Sequence, residues 1–305
     1  MDRCAGHKII YYGFMKKTIL ITGCSSGFGM ISAARLSSLG YTVYASMRDL
    51  SKKNDLKVEL DRRNTSCHMI ELDVCNDESI QRSIDTITDK EGKLDILINN
   101  AGYGIGGFFE DLSEKEIRDQ FETNFFGVQK VTRIALPLMR KTAMKSEDIF
   151  STKIVNVSSA QGRSALPGLG AYGSSKFALE GFSEGLHFEL YPFGIEVVLL
   201  EPGTFSTKAI DDNSKEAKSG LNAQSPYIEF TNRLKDLHTK ILETRRGVGD
   251  PEDVAIIIEK IIKRKKNKLR YLAGAQAKIR VGLRSILPFN WFSKIILKIT
   301  MGISK

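Results

Sequence analysis

Cysteine is scarce in these 305 residues, and the four present (Cys4, Cys24, Cys67, Cys75) form no Cys-x-x-Cys pair. That argues against a disulfide framework and suits a reducing, cytoplasmic setting. Histidine is equally sparse: His7, His68, His187 and His238 stand far apart, so the spacing of a zinc site is missing. No apolar run reaches about 18 residues, which leaves no candidate for a membrane-spanning helix. Ile9 to Tyr12 is too short for a signal-peptide core, and no small-residue cleavage site follows. Residues 1–14 read as a flexible extension ahead of a domain that starts at Met15. Acidic charge is thin at the far end. From Lys240 onward 16 Lys/Arg face 5 Asp/Glu, a balance of +11, while the residues before it carry 29 against 31, a balance of −2. The net charge of +9 is therefore a property of the tail. No aromatic-interleaved basic motif accompanies it, so nucleic acid is not an expected partner.

What is present is a series of short strand-like runs, most of them followed by a polar or glycine-rich turn. Lys16 to Thr22 reads as a buried strand. It enters Gly23-Cys24-Ser25-Ser26-Gly27-Phe28-Gly29 and then a helical stretch from Met30. Strand, glycine turn and helix make a dinucleotide-binding arrangement, with a pyrophosphate seated on the helix N-terminus. Gly23, Ser25, Ser26, Gly27, Phe28 and Gly29 are the expected contacts. The second strand, Tyr41 to Ala45, leads to Met47-Arg48, where an NAD site usually offers a carboxylate to the ribose. The cation of Arg48 and the hydroxyl of Ser26 suit a 2′-phosphate instead. NADP(H) is therefore the expected cofactor, with NAD(H) the alternative because Asp49 follows.

The third strand, Cys67 to Leu72, ends at Asp73-Val74, positioned for the adenine; Asp73 could also cap the next helix. The fourth, Leu94 to Ile98, ends in Asn99-Asn100-Ala101-Gly102, small enough for a flat ligand, with amides able to tie strands together. Ser113 and Glu116 form a capping box for a helix that carries Asn124 among phenylalanines, a costly place for an unsatisfied amide. Residues 141–152 read as a polar, mobile loop. A fifth strand, Lys153 to Val157, precedes Ser158-Ser159. Tyr172 and Lys176 lie four apart on a helix, so phenol and ammonium share a face. A cation beside a phenol favours the phenolate and fits it for proton transfer. Strands at Ile195 to Leu200 and Leu269 to Leu272 complete the set, the former closed by Pro202-Gly203-Thr204.

In order and spacing, Thr22-Gly23-x-x-x-Gly27-x-Gly29, Asn99-Asn100-Ala101-Gly102, Asn124, Ser159, Tyr172-x-x-x-Lys176 and Pro202-Gly203 resemble the short-chain dehydrogenase/reductase family. The resemblance runs from about Lys16 to Gly274. It implies one α/β domain, a Rossmann-like doubly wound sheet of about seven mostly parallel strands with helices on both faces. It also implies a catalytic set. Tyr172 would be the general acid or base. Lys176 would lower its pKa and bind the nicotinamide ribose. Ser159 would hold the substrate oxygen, and Asn124 would place a relay water. Asp73, Val74, Asn100, Ala101, Gly102, Pro202, Gly203, Thr204 and Thr207 join the cofactor contacts, Thr207 orienting the carboxamide.

Thr-Gly-Cys-Ser-Ser-Gly and Met-Arg-Asp are shared with NADP(H)-preferring members acting on hydroxysteroids, retinoids or other lipophilic carbonyls. The implied reaction is hydride transfer between NADP(H) and a lipophilic carbonyl/alcohol pair. The alternative is a catalytically idle nucleotide-binding or membrane-peripheral protein on the same fold. Residues 205–248 should form a substrate lid, helical from Pro226 to Thr244. Asp250-Pro251-Glu252-Asp253 should start a helix that ends in a cationic turn. Residues 275–305 form a basic amphipathic segment, with Trp291, Phe292, Ile295, Ile296 and Ile299 at helical spacing and Lys294, Lys298 and Lys305 on another face. It could lie on a membrane interface, cap a lipophilic pocket or pack against a second subunit of a homo-oligomer.

Overall fold

Seven short runs build the central sheet; the five inner strands are buried on both faces, and the two at its edges are only partly buried. The computed structural model describes residues 16–205, 214–217, 224–244 and 248–303. The strands are β1 (Thr18–Ile21), β2 (Thr42–Met47), β3 (His68–Glu71), β4 (Ile96–Asn99), β5 (Gly104–Gly106), β6 (Thr152–Val157), β7 (Ile195–Pro202), β8 (Ser214–Glu216) and β9 (Arg270–Ala273). The main sheet runs β3-β2-β1-β4-β6-β7-β9, and every neighbouring pair in it is parallel, rather than most of them.

The helices are α1 (Gly27–Ser38), α2 (Asn54–Arg62), α3 (Asp77–Glu91), α4 (Glu114–Phe121), α5 (Gly127–Met144), α6 (Gly170–Leu190), α7 (Ile228–Thr244), α8 (Pro251–Lys263), α9 (Ala275–Ile286) and α10 (Phe289–Met301). Successive strand residues face opposite ways, so the sheet feeds two cores. Ile19 and Ile21 join Leu36, Leu60 and Ile258 from α1, α2 and α8. Leu20 joins Ile84, Met139 and Leu190 from α3, α5 and α6. Each fully buried aliphatic side chain of this kind contributes about 1.5–3 kcal/mol.

The strand order reverses between β1 and β4, with β2 and β3 on one side and β6, β7 and β9 on the other. A ligand crevice therefore opens over the carboxyl ends of these two strands. The register sets Asn99 opposite Asn156. The Asn99 amide donates to Asn156 Oδ1 at 2.8 Å and to Thr132 Oγ1 at 3.0 Å, the strand tie expected of it.

Several expectations change. The capping box at Ser113 and Glu116 forms in both directions, but its helix does not run on unbroken. A π-turn at Glu122–Phe126 separates α4 from α5 and carries Asn124. The loop expected from residue 141 starts later, because α5 continues to Met144. There Thr142 bonds Leu138 O and accepts from Leu94 N, tying that turn to the core. The small sheet of β5 and β8 gives no sequence signal, being three residues a side and glycine-rich in β5. The tail is two helices, because Pro288 cannot continue α9. Its apolar face also divides: Phe292 is buried, whereas Trp291 is 68% exposed. Residues 1–14 and Thr207 lie outside the described residues.

Candidate active site

The glycine turn after β1 is held shut by its neighbours. Gly23 and Gly27 have φ of 72° and 58°, conformations that favour glycine. A Cβ on Gly23 would stand 2.7 Å from Ala101 Cα, and one on Gly29 would strike the Gly23 carbonyl and Asn100 Nδ2. Asn100 Nδ2 donates to the carbonyls of Thr22 and Gly23 at 2.8 and 3.0 Å. Thr22 Oγ1 in turn accepts the amides of Asn100 and Ala101 at 3.0 and 2.9 Å. The first amides of α1 have no intrahelical acceptor, and no acid occupies its first turn, so an anionic pyrophosphate fits there. Ser25, Ser26 and Phe28 are partly exposed in this turn. The Phe28 ring also meets Phe205 edge-on at 5.4 Å.

Arg48 is exposed at the end of β2. Its neighbour Asp49 accepts from Ser51 N at 2.9 Å and so caps the following turn, not a ribose. Asp73 Oδ1 accepts from Cys75 N at 3.0 Å; the cap of α3 is Asn76, so the capping role considered for Asp73 is not the one it has. Val74 abuts the start of α5 at Gly127.

The remaining residues converge from four elements. Asn124 is fully buried in the π-turn; its Nδ2 donates to Tyr103 O at 2.9 Å and to Ser175 Oγ at 3.3 Å, and its Oδ1 accepts from Tyr103 N at 3.1 Å. Its amide is thus satisfied, and a π-turn is a common means of aiming such a side chain. Gly102 faces both Asn124 and Lys176: a Cβ there would lie 3.0 Å from Asn124 Oδ1 and 3.8 Å from Lys176 Nζ. The same construction at Gly104 meets the Tyr172 ring at 3.7 Å. Lys176 Nζ donates to Val157 O at 2.8 Å. Ser159 Oγ donates to Pro202 O at 3.4 Å and accepts from Gln161 N at 3.1 Å. Gly203 N bonds Ala273 O, and Thr204 O accepts from Gly249 N, which fixes the end of β7.

Burial dominates the ionisation of this cluster. It pushes Lys176 down to about 8, with Glu180 opposing, and it pushes Tyr172 up. The influences that pull Tyr172 back down are Ser159 and Arg280, not the expected Lys176. Glu201, at the end of β7, is raised by burial to about 7.

Sequence reasoning passed over three residues here. Gln120 is fully buried and bonds Ile105 N and Tyr103 O at 2.8 and 2.7 Å; its signal is the spacing of four to Asn124. Ser175 accepts from Asn124 and donates to Tyr172 O. Arg280 on α9 bears electrostatically on Tyr172, and its signal is a cation beside the apolar positions Ala277 and Val281.

A doubly wound sheet with a glycine cradle at its switch point and a Ser–Tyr–Lys–Asn cluster beside it defines a nicotinamide-dependent oxidoreductase. Residues 17–218 match the sequence model of short chain dehydrogenases. A 3-ketodihydrosphingosine reductase of Bacteroides thetaiotaomicron is 38% identical, over 89% of this chain and 93% of its own. Retinol dehydrogenase 8 of Bos taurus is 33% identical, over 89% and 86%. A short-chain dehydrogenase structure from Streptomyces avermitilis superposes with a TM-score of 0.72 at 32% identity, covering 88% of this chain and 96% of that one. The chain belongs to the short-chain dehydrogenase/reductase family and is an oxidoreductase acting on CH–OH groups and the corresponding carbonyls.

Proposed function

We propose that the chain uses NADP(H) to interconvert a lipophilic carbonyl and its alcohol. The cofactor, when bound, supplies or accepts the hydride. In reduction Tyr172 gives its phenolic proton to the carbonyl oxygen, and Ser159 donates a hydrogen bond to the same atom. Lys176 would hold the nicotinamide ribose, and Asn124 would position a water that returns a proton through Lys176. The turn from Gly23 to Gly29 would hold the pyrophosphate, and Asp73, Val74, Asn100, Ala101, Gly102, Pro202, Gly203 and Thr204 would make the remaining cofactor contacts. NADP is favoured over NAD because Arg48 is an exposed cation and Asp49 is committed to its cap. The observation that carries the reading is the Tyr172 ring facing Gly104, with Lys176 and Asn124 both against Gly102.

A lipophilic substrate is supported by the lid side. Phe108 stacks on Tyr227 at 4.7 Å and sits 6.3 Å from Phe230 of α7, while Gly168 faces Leu234. This is an apolar cover over the loop that precedes Tyr172. NADPH oxidation across a panel of aldehydes and ketones tests the reading, with Tyr172→Phe as control. NADPH binding without turnover, indifferent to that substitution, would favour the idle nucleotide-binding alternative.

The tail supports peripheral membrane contact. Ile279, Leu283 and Ile286 on α9 and Trp291, Ile295 and Ile299 on α10 are exposed, and residues 275–305 contain six Lys/Arg and no acid. Among the described residues no helix is long and apolar enough to cross a membrane. Flotation on anionic but not zwitterionic liposomes, lost on truncation after Gly274, tests this contact. Exposed Phe177 and Phe188 on α6 favour a homo-oligomer, to be checked by light scattering.

A further inference from the structure

Three other partly buried arginines are answered by carboxylates. Arg35 pairs with Glu252 and Glu259, Arg63 with Glu59 and Glu252, and Arg270 with Glu180 and Glu184. Arg280 is not. Its Nε is buried without a hydrogen-bond partner, and among the described residues no carboxylate pairs with it. Its own segment cannot supply one, because residues 275–305 contain no Asp or Glu. A buried donor left unmade on a charged group is costly and calls for a ligand or a function.

The packing explains where this cation has been carried. Ala277 and Val281 lie four apart on one face of α9 and are buried against Ala160, the residue after Ser159. Gly203 admits the helix closely, since a Cβ there would stand 2.8 Å from Ala277 Cβ. Arg280 is three residues from Ala277 and next to Val281, so it follows that face toward the Ser159–Tyr172 corner. Its charge and the Tyr172 phenol influence each other, which places the two in one electrostatic neighbourhood.

We propose that Arg280 selects the substrate: its guanidinium receives an anionic oxygen group, a carboxylate or phosphate, on a lipophilic chain that presents its carbonyl or carbinol carbon to Tyr172. A planar guanidinium matches such groups with paired donors, and the contact is charge-assisted. The substrate class is then an amphiphile, an oxo acid or hydroxy acid with a hydrophobic chain under the lid. An amino ketone would be disfavoured by the same cation. This inference rests on the role of Tyr172 given above.

The test uses the full-length protein with NADPH and straight-chain 2-, 4- and 5-oxodecanoates, each beside its methyl ester. At one carbonyl position at least, kcat/KM for the acid should exceed that for the ester by about tenfold or more. Arg280→Gln should collapse that ratio toward one, and Arg280→Lys should retain part of it. A merely structural or generally electrostatic role lowers acid and ester together and leaves the ratio standing. That result, or esters preferred at every position by the unsubstituted protein, overturns the proposal. If instead Tyr172→Phe turns over all substrates normally, the underlying assignment of Tyr172 fails, whatever Arg280 does. Intrinsic fluorescence quenching by NADPH confirms that each variant is folded.

Discussion

The ammonium of Lys176 lies 5.9 Å from the centre of the Tyr172 ring and donates to the carbonyl of Val157. The pair shares a helix face as their spacing requires, yet the lysine is held by the end of β6 and by burial. It is set up as a desolvated cation next to Gly102, while Ser159 and Arg280 are the groups that ease ionisation of the phenol.

A pH dependence follows. Burial lowers the folded-state pKa of Lys176 to about 8, so the ammonium is present below that pH and is lost as pH rises through it. The kcat/KM for NADPH, which reports the free enzyme, should fall above about pH 8. Lys176→Arg should remove that alkaline limb at reduced overall activity. The depressed pKa also means that the charged form strains the fold near pH 7, so Lys176→Met should raise the melting temperature there while abolishing turnover. An alkaline limb unchanged in Lys176→Arg would separate the ionisation from this residue.

Glu201 predicts the opposite slope. Both its carboxylate oxygens lack hydrogen bonds; Arg163 and Arg270 stand 3.6 Å away, within ion-pair range only. Its folded-state pKa is raised to about 7, so its share of stability is fully present below about pH 4.5 and lost as pH rises through 7. Glu201→Gln should leave the melting temperature nearly unchanged at pH 5 and raise it at pH 8. Equal shifts at both pH values would mean that the carboxyl is not titrating in the fold.

Much of this site was legible because it is local. Gly23 to Gly29, the Asn99–Gly102 run and the four-residue spacing of Tyr172 and Lys176 each encode a turn or a helix face within a few positions. The seven strands were legible as short runs between turns, with ends displaced by one or two residues where pairing, not composition, sets the limit. Features made by distant chain segments were not legible. The π-turn at Asn124 depends on Tyr103, twenty-one residues away, and β5 finds β8 across more than a hundred. Arg280 looked like one more cation in a basic tail until the packing of Ala277 on Ala160 gave it a direction.

Cofactor choice is tested at Arg48. The side chain is exposed at the end of β2, and Asp49 is turned away by its bond to Ser51 N. Arg48→Asp should exchange a partner of the 2′-phosphate for a repulsive charge. The ratio of kcat/KM for NADPH over NADH should drop by tenfold or more, about 1.4 kcal/mol. Steady-state kinetics with both cofactors checks it, and an unchanged ratio would remove the reason for preferring NADP.

The glycines beneath the cluster separate positioning from packing. At Gly102 a methyl group would press on Asn124 Oδ1 at 3.0 Å, and Asn124 cannot yield because both ends of its amide bond Tyr103. At Gly104 the nearest atom is Tyr172 Cδ2 at 3.7 Å, an ordinary contact. Gly102→Ala should therefore lower kcat by about tenfold or more, as small displacements of catalytic groups do, and destabilise the fold by about 1 kcal/mol. Gly104→Ala should cost far less on both measures. Single-turnover rates and thermal melts of the two variants decide the matter. Equal losses would mean that the floor of the crevice tolerates no side chain anywhere, and that Asn124 is not specifically held against Gly102.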